Sequence, residues 1–274
     1  MVERLKAATA KARERREENS DLQQRVRGEP GSQTKLWSQV DELRVESARM
    51  EEARIVSFEK SDPAHAPFDL LRTNVLKILR DHGWSRIGIT SATPACGKTL
   101  ISMNLAFSLA RNPAVSTLLL DLDLRSPQLA SRLDQNRICS LPAFLRGEIS
   151  LESFLCRIGS NLALGLNSDR VLDVAELMQR GTTQRSLNRM VRDLAPDVAL
   201  FDLPPLLLKD DALSMLQYLD CVLVVASAGK TTGEEILECE KLLEGGPEFL
   251  GVILNNSETE ENYPFASTYY YQSN

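Results

Sequence analysis

The chain has 274 residues, 43% hydrophobic and 26% charged, which suits one globular α/β core with short extensions. A net charge of −6 argues against nucleic-acid binding, and no apolar run approaches the ~18 residues of a membrane span. The opening MVERLKAATAKARERREE has no apolar leader core, so the expected compartment is the cytoplasm. The five cysteines are scattered without a CxxC pair, and the two histidines lie outside any metal-ligand spacing, so neither a disulfide framework nor a zinc site is expected.

Residues 1–60 are rich in Arg, Glu, Gln and Lys. They read as a charged extension, a solvated helix and then a flexible linker broken at Gly28, Pro30 and Gly31. From about residue 66 the pattern changes. Phe68, Leu71, Val75 and Leu79 recur at helical spacing up to Gly83. Strands are then expected at 86–90, 116–124, 161–167, 197–205, 221–228 and 249–256, with helices at 98–110, 183–194, 212–219 and 234–243 between them. Near-continuous apolar strands alternating with helices predict an α/β fold, a mostly parallel sheet covered on both faces, over residues 61–256. Residues 257–274 form a polar, tyrosine-rich tail.

SATPACGKT (91–99) matches the P-loop pattern at Gly97, Lys98 and Thr99, with Ala92 at the first glycine position. It follows an apolar strand and opens a helix, where backbone N–H groups and the helix dipole favour phosphate. Pro94, Ala95, Cys96, Gly97, Lys98, Thr99 and Leu100 are therefore the expected nucleotide-binding residues, with Lys98 on the β- and γ-phosphates and the Thr99 hydroxyl on magnesium. LLLDLDLRSP carries Asp121 and Asp123 at the end of a strand, where alternate residues share a face. VALFDLPP ends another strand on Asp202, a Walker B acid suited to holding magnesium.

Together these motifs resemble those of the bacterial tyrosine kinases of capsule and exopolysaccharide production. SATPACGKT stands for the Walker A loop, DLDLRSP for the additional acidic motif and ALFDLPP for Walker B, while FDLLRTNVLKI resembles the helix ahead of the core. The resemblance covers residues 66–256, and DLDLR is its most specific part. It implies a P-loop kinase fold using ATP and Mg2+, with Asp121 as the base for a tyrosine hydroxyl, Asp123 and Asp202 as metal ligands, and Asn255 facing the adenine. It also implies a membrane-embedded polysaccharide co-polymerase as activator, which would hold the chain at the inner face of the membrane.

Tyr263, Tyr269, Tyr270 and Tyr271 supply four of the five tyrosines within the last 12 residues. The resemblance makes them phosphoacceptors, delivered to a neighbouring subunit. Some positions depart from the family pattern. Ala95 stands where glycine is usual and invites backbone strain, Cys96 replaces a glutamate, and Leu203 replaces a hydroxyl residue after Asp202. The subunit-contact motif ExxRxxR is reduced to Ala66, Asp69 and Arg72, which leaves a homo-oligomer open. A non-kinase ATPase switch of the partition type, and a nucleotide-sensing regulator with lost catalysis, are the competing functions.

Overall fold

The computed structural model describes residues 36–58, 63–133, 140–208 and 210–257. Its strands are β1 (Asp41–Glu42), β2 (Arg86–Ser91), β3 (Thr117–Asp121), β4 (Cys156–Ile158), β5 (Leu162–Gly165), β6 (Val198–Asp202), β7 (Cys221–Ser227) and β8 (Glu248–Asn255). The helices are α1 (Ser47–Glu52), α2 (Ala66–His82), α3 (Lys98–Ala110), α4 (Leu129–Arg132), α5 (Leu141–Arg146), α6 (Leu151–Phe154), α7 (Val174–Gln179), α8 (Gly181–Leu194), α9 (Asp210–Met215) and α10 (Gly233–Leu243). One eight-stranded sheet runs in the order β1-β4-β5-β3-β6-β2-β7-β8. Its pairs are parallel except β4–β5, which is antiparallel.

The central strands are apolar throughout because helices cover both faces, and two hydrophobic clusters fill the spaces above and below the sheet. Helix α3 has almost no polar side because it lies between the sheet and α2, and apart from Leu100 it is buried from Lys98 to Leu109. Helix α2 is amphipathic and sets Val75 and Leu79 into that interface. It stops at Gly83, which takes φ +67°, while the Trp84 N–H closes back on the Leu79 carbonyl. Gly88 in β2 leaves room for two leucines. A Cβ there would lie 2.6 Å from Leu219 Cδ1 and 2.7 Å from Leu203 Cδ1.

Three features differ from the sequence expectation. Residues 36–58 are not a solvated linker. Leu36, Val40, Met50, Ala53 and Ile55 are buried, the Trp37 indole N–H donates to the Leu194 carbonyl, and β1 extends the sheet beside β4. Seven charged residues from Asp41 to Glu52 hide these sparse apolar contacts from a composition argument. Strand β3 ends at Asp121, so Asp123 lies beyond it and the alternation argument for the pair fails. The helix expected at 212–219 is α9 followed by a 3-10 turn over Leu216–Tyr218.

Candidate active site

The candidate site lies where β2, β3 and β6 end, the edge at which open parallel sheets bind ligands. The loop between β2 and α3 is held from several directions. Asn255, at the end of β8, donates from Nδ2 to the Cys96 carbonyl at 2.9 Å, and Lys230 Nζ donates to the Pro94 carbonyl at 2.8 Å. The Ser91 hydroxyl donates to the Thr93 carbonyl at 2.7 Å. Gly97 has φ +90°, and a Cβ on it would come within 2.1 Å of Asn255 Nδ2, so glycine is required for both reasons. Ala95 has φ +59°, the left-handed angle expected to strain an alanine there.

At the start of α3, Lys98 and Thr99 are buried beside two acids. Lys98 Nζ lies 2.7 Å from Asp123 Oδ2, and the Thr99 hydroxyl donates to Asp202 Oδ2 at 2.7 Å. Ser102, not singled out in the sequence, donates to Asp202 Oδ1 at 3.1 Å. Its spacing of three from Thr99, on the same helix face, is the signal that could have found it. Asp121 lies opposite Asp202 in the β3–β6 register. Its Oδ2 accepts the Gln128 and Leu129 N–H groups at 3.0 Å each, and its Oδ1 accepts the Asp123 N–H at 3.2 Å. Leu100 sits on the first turn of α3, its carbonyl accepting from Asn104.

Burial sets the electrostatics. It pushes the Asp121 carboxyl well above the ordinary carboxylate range, and the negative charge of Asp202 adds to the shift against the opposing N–H bonds. Asp202 is also raised by burial, although Lys98 and the Thr99 and Ser102 hydroxyls favour its charged form. Burial alone would lower Lys98, but Asp202 and Asp123 outweigh it and keep the ammonium charged. Burial pushes the Cys96 thiol up, yet hydrogen bonds with Thr231 and Thr93 reverse the direction and lower it.

The loop after Asp123 is fixed from outside. The Arg125 guanidinium forms a close two-point pair with Asp211 on α9, and the Val171 N–H donates to the Leu124 carbonyl at 2.9 Å. Leu203, in place of a hydroxyl residue, is fully buried. The remnant of the contact motif is engaged within the chain, with Asp69 paired to both Arg72 and Arg111. The structure thus brings together Lys98, Thr99, Asp121, Asp123 and Asp202. It places Asn255 against the loop backbone, where its side chain holds the Cys96 carbonyl. The tail tyrosines lie outside the described residues.

A loop of P-loop sequence, a buried lysine, two acids at strand ends and a third just past one, on a mostly parallel sheet, define a P-loop nucleotide-binding protein. No established family profile matches the sequence. The chain is 31% identical over 181 residues to tyrosine-protein kinase CpsD of Streptococcus pneumoniae, spanning 64% of this chain and 78% of that protein. It is 26% identical over 225 residues to tyrosine-protein kinase YwqD of Bacillus subtilis, spanning 78% of this chain and 90% of YwqD. The fold matches the kinase domain of Escherichia coli tyrosine kinase ETK with a TM-score of 0.65 at 24% identity, over 76% of this chain and 84% of that one. The chain belongs to the bacterial tyrosine kinases, and it is a protein-tyrosine kinase.

Proposed function

We propose that this kinase transfers the γ-phosphoryl group of ATP to the tyrosines of the C-terminal cluster, Tyr263, Tyr269, Tyr270 and Tyr271. The observation that carries the proposal is the convergence of Lys98, Thr99 and Ser102 on Asp123 and Asp202, with the buried Asp121 carboxyl beside them. The 91–99 backbone cradles the phosphates, and Lys98 brings a charge that its acidic neighbours keep in place. The acceptor oxygen bonds to the γ-phosphorus as the bond to the β-phosphate oxygen breaks. The phenolic proton passes to an Asp121 oxygen. A carboxyl raised by burial is the better acceptor for a proton from a group of pKa near 10.

The hydroxyl and carboxylate oxygens of Thr99, Asp123 and Asp202 form a hard donor set that fits magnesium, which uses one or two carboxylates and keeps phosphate oxygens and waters. Bound there, magnesium supplies neutralisation of the phosphoryl charge. The three N–H groups on Asp121 aim its carboxylate and limit its rotation.

The family relationship supports a role in capsule or exopolysaccharide production, beside a membrane-embedded polysaccharide co-polymerase as activator. No helix among the described residues is long and apolar enough to cross a membrane, in keeping with attachment to the inner face through that partner. Incubation with ATP, magnesium and the activator, followed by mass spectrometry of the C-terminal peptide, tests the proposal. Phosphotyrosine is expected on the tail, and Lys98→Met and Asp121→Asn should each lower it at least a hundredfold. Rapid ATP hydrolysis without phosphotyrosine would overturn it.

A further inference from the structure

Lys230 belongs to none of the motifs read from the sequence, yet its ammonium donates to the Pro94 carbonyl at 2.8 Å, across 136 positions of the chain. A trans peptide unit is planar, and its C=O and N–H point to opposite sides. A donor that takes the Pro94 carbonyl therefore turns the Ala95 N–H away from itself. Asn255 does the same two residues on. Its Nδ2 takes the Cys96 carbonyl at 2.9 Å and so directs the Gly97 N–H. Neither N–H donates to any acceptor among the described residues. Both carbonyls are drawn toward the β7–β8 end of the sheet, and the sheet order puts β2, β6 and β3, with the buried acids, on the other side.

Lys230 and Asn255 stand on one hydrogen-bonded support. The turn after β7 is closed by the Lys230 and Thr231 N–H groups on the Ser227 carbonyl, at 3.1 and 2.9 Å, and the Thr231 hydroxyl accepts the Ser227 N–H at 2.9 Å. The Ala228 N–H donates to the Asn255 carbonyl at 2.8 Å, and the Asn256 side chain donates to the Ser227 hydroxyl at 3.0 Å. From the same turn, Thr231 Oγ1 lies 3.6 Å from Cys96 Sγ. Between the two held carbonyls stands Ala95 at φ +59°. A left-handed residue in such a loop brings successive N–H groups round to one concave side, the arrangement that binds anions. Alanine holds that angle less readily than glycine, so a grip on both sides of it matters here.

We propose that Lys230 is a positioning residue for the nucleotide. With Asn255 it turns the Ala95 and Gly97 amides onto the phosphate oxygens and keeps Ala95 at the left-handed angle that this requires. Lys230 acts through the loop backbone and not as a phosphate ligand. The role rests on nucleotide binding at residues 91–99, and it accounts for an alanine serving at a glycine position.

Titration calorimetry on the full chain with magnesium and either ATP or inorganic tripolyphosphate tests the clamp. Tripolyphosphate has no base, so contacts to adenine do not enter. Lys230→Met should weaken both ligands about tenfold, the loss of one well-aimed hydrogen bond to a charged group. Lys230→Arg keeps a donor for the Pro94 carbonyl and should restore most of that affinity. Amide NMR separates aiming from charge. In the parent protein, tripolyphosphate should move the Ala95 and Gly97 amide protons downfield, and in Lys230→Met the Ala95 response should largely vanish while that of Gly97 remains. Weaker binding with both responses intact would make Lys230 a charge on the phosphates and overturn the clamp, as would affinities indifferent to the substitution. A parent protein that binds neither ligand would remove the nucleotide site itself, and the clamp with it.

Discussion

At Ala95 the nucleotide loop carries a side chain in a conformation that glycine adopts without penalty. With φ +59°, the alanine stores strain in the loop proposed to cradle phosphate. Ala95→Gly should therefore stabilise the protein by about 0.5–1 kcal/mol, the relief of left-handed strain exceeding the entropy glycine adds to the unfolded chain. Urea denaturation measures it, and a loss of stability would show that the loop tolerates the angle. Asp202 carries a different tension, because its charge is buried and its pKa is raised. A carboxyl raised on folding favours the fold most below its unfolded value, near 3.8, and loses that contribution as pH climbs through the higher folded value. Asp202→Asn should thus raise Tm by roughly 2–4 °C at pH 8, the shift that about 1 kcal/mol gives in a domain of this size. Below pH 4 the difference should vanish. Scanning calorimetry across that range is the check, and a variant less stable at pH 8 would mean that the Lys98 attraction outweighs burial.

Between elements, the pair formed by Arg125 and Asp211 ties the loop after β3 to α9. Its members are unequal, since the Asp211 side chain is 5% exposed and that of Arg125 is 33% exposed. Removing the arginine leaves a nearly buried carboxylate without its partner, whereas removing both leaves none. Arg125→Ala should cost about 1–3 kcal/mol, and Arg125→Ala/Asp211→Ala should cost less than the sum of the single changes. Additive losses in that double-mutant cycle would show that the two side chains do not hold each other. The same loop is bonded to Val171, so the two segments beside Asp121 share one support.

On the scale of the whole molecule, residues 36–58 should unfold with the rest of the domain, because their apolar side chains belong to its core. Met50 is 2% exposed within the cluster that also contains Leu79, Ile87 and Phe107. Met50→Ala should lower stability by about 2–5 kcal/mol while a single unfolding transition is retained. Two separated transitions in the parent protein would instead mark the segment as independent.

Much of this was legible in the residues themselves. The apolar runs of β2, β3, β6 and β7 announce a buried parallel sheet because covered strands need no polar face, and Gly97-Lys98-Thr99 after such a strand can serve few purposes other than holding phosphate. The angle at Ala95 could be anticipated from the pattern it interrupts. Other features exist only through tertiary contacts. Which acid faces Lys98, that Ser102 supports Asp202, and that Asn255 grips the loop depend on residues between 25 and 159 positions apart. The same holds for the packed segment at 36–58, whose few apolar residues are diluted by charge, and for the hold of Lys230 on the Pro94 carbonyl, which joins the turn after β7 to the loop after β2. Periodicity and motif chemistry act through neighbours in sequence, so the sequence alone determined the sheet and the phosphate loop. Pairings of charge and shape arise only when distant segments meet, and these the tertiary structure decided.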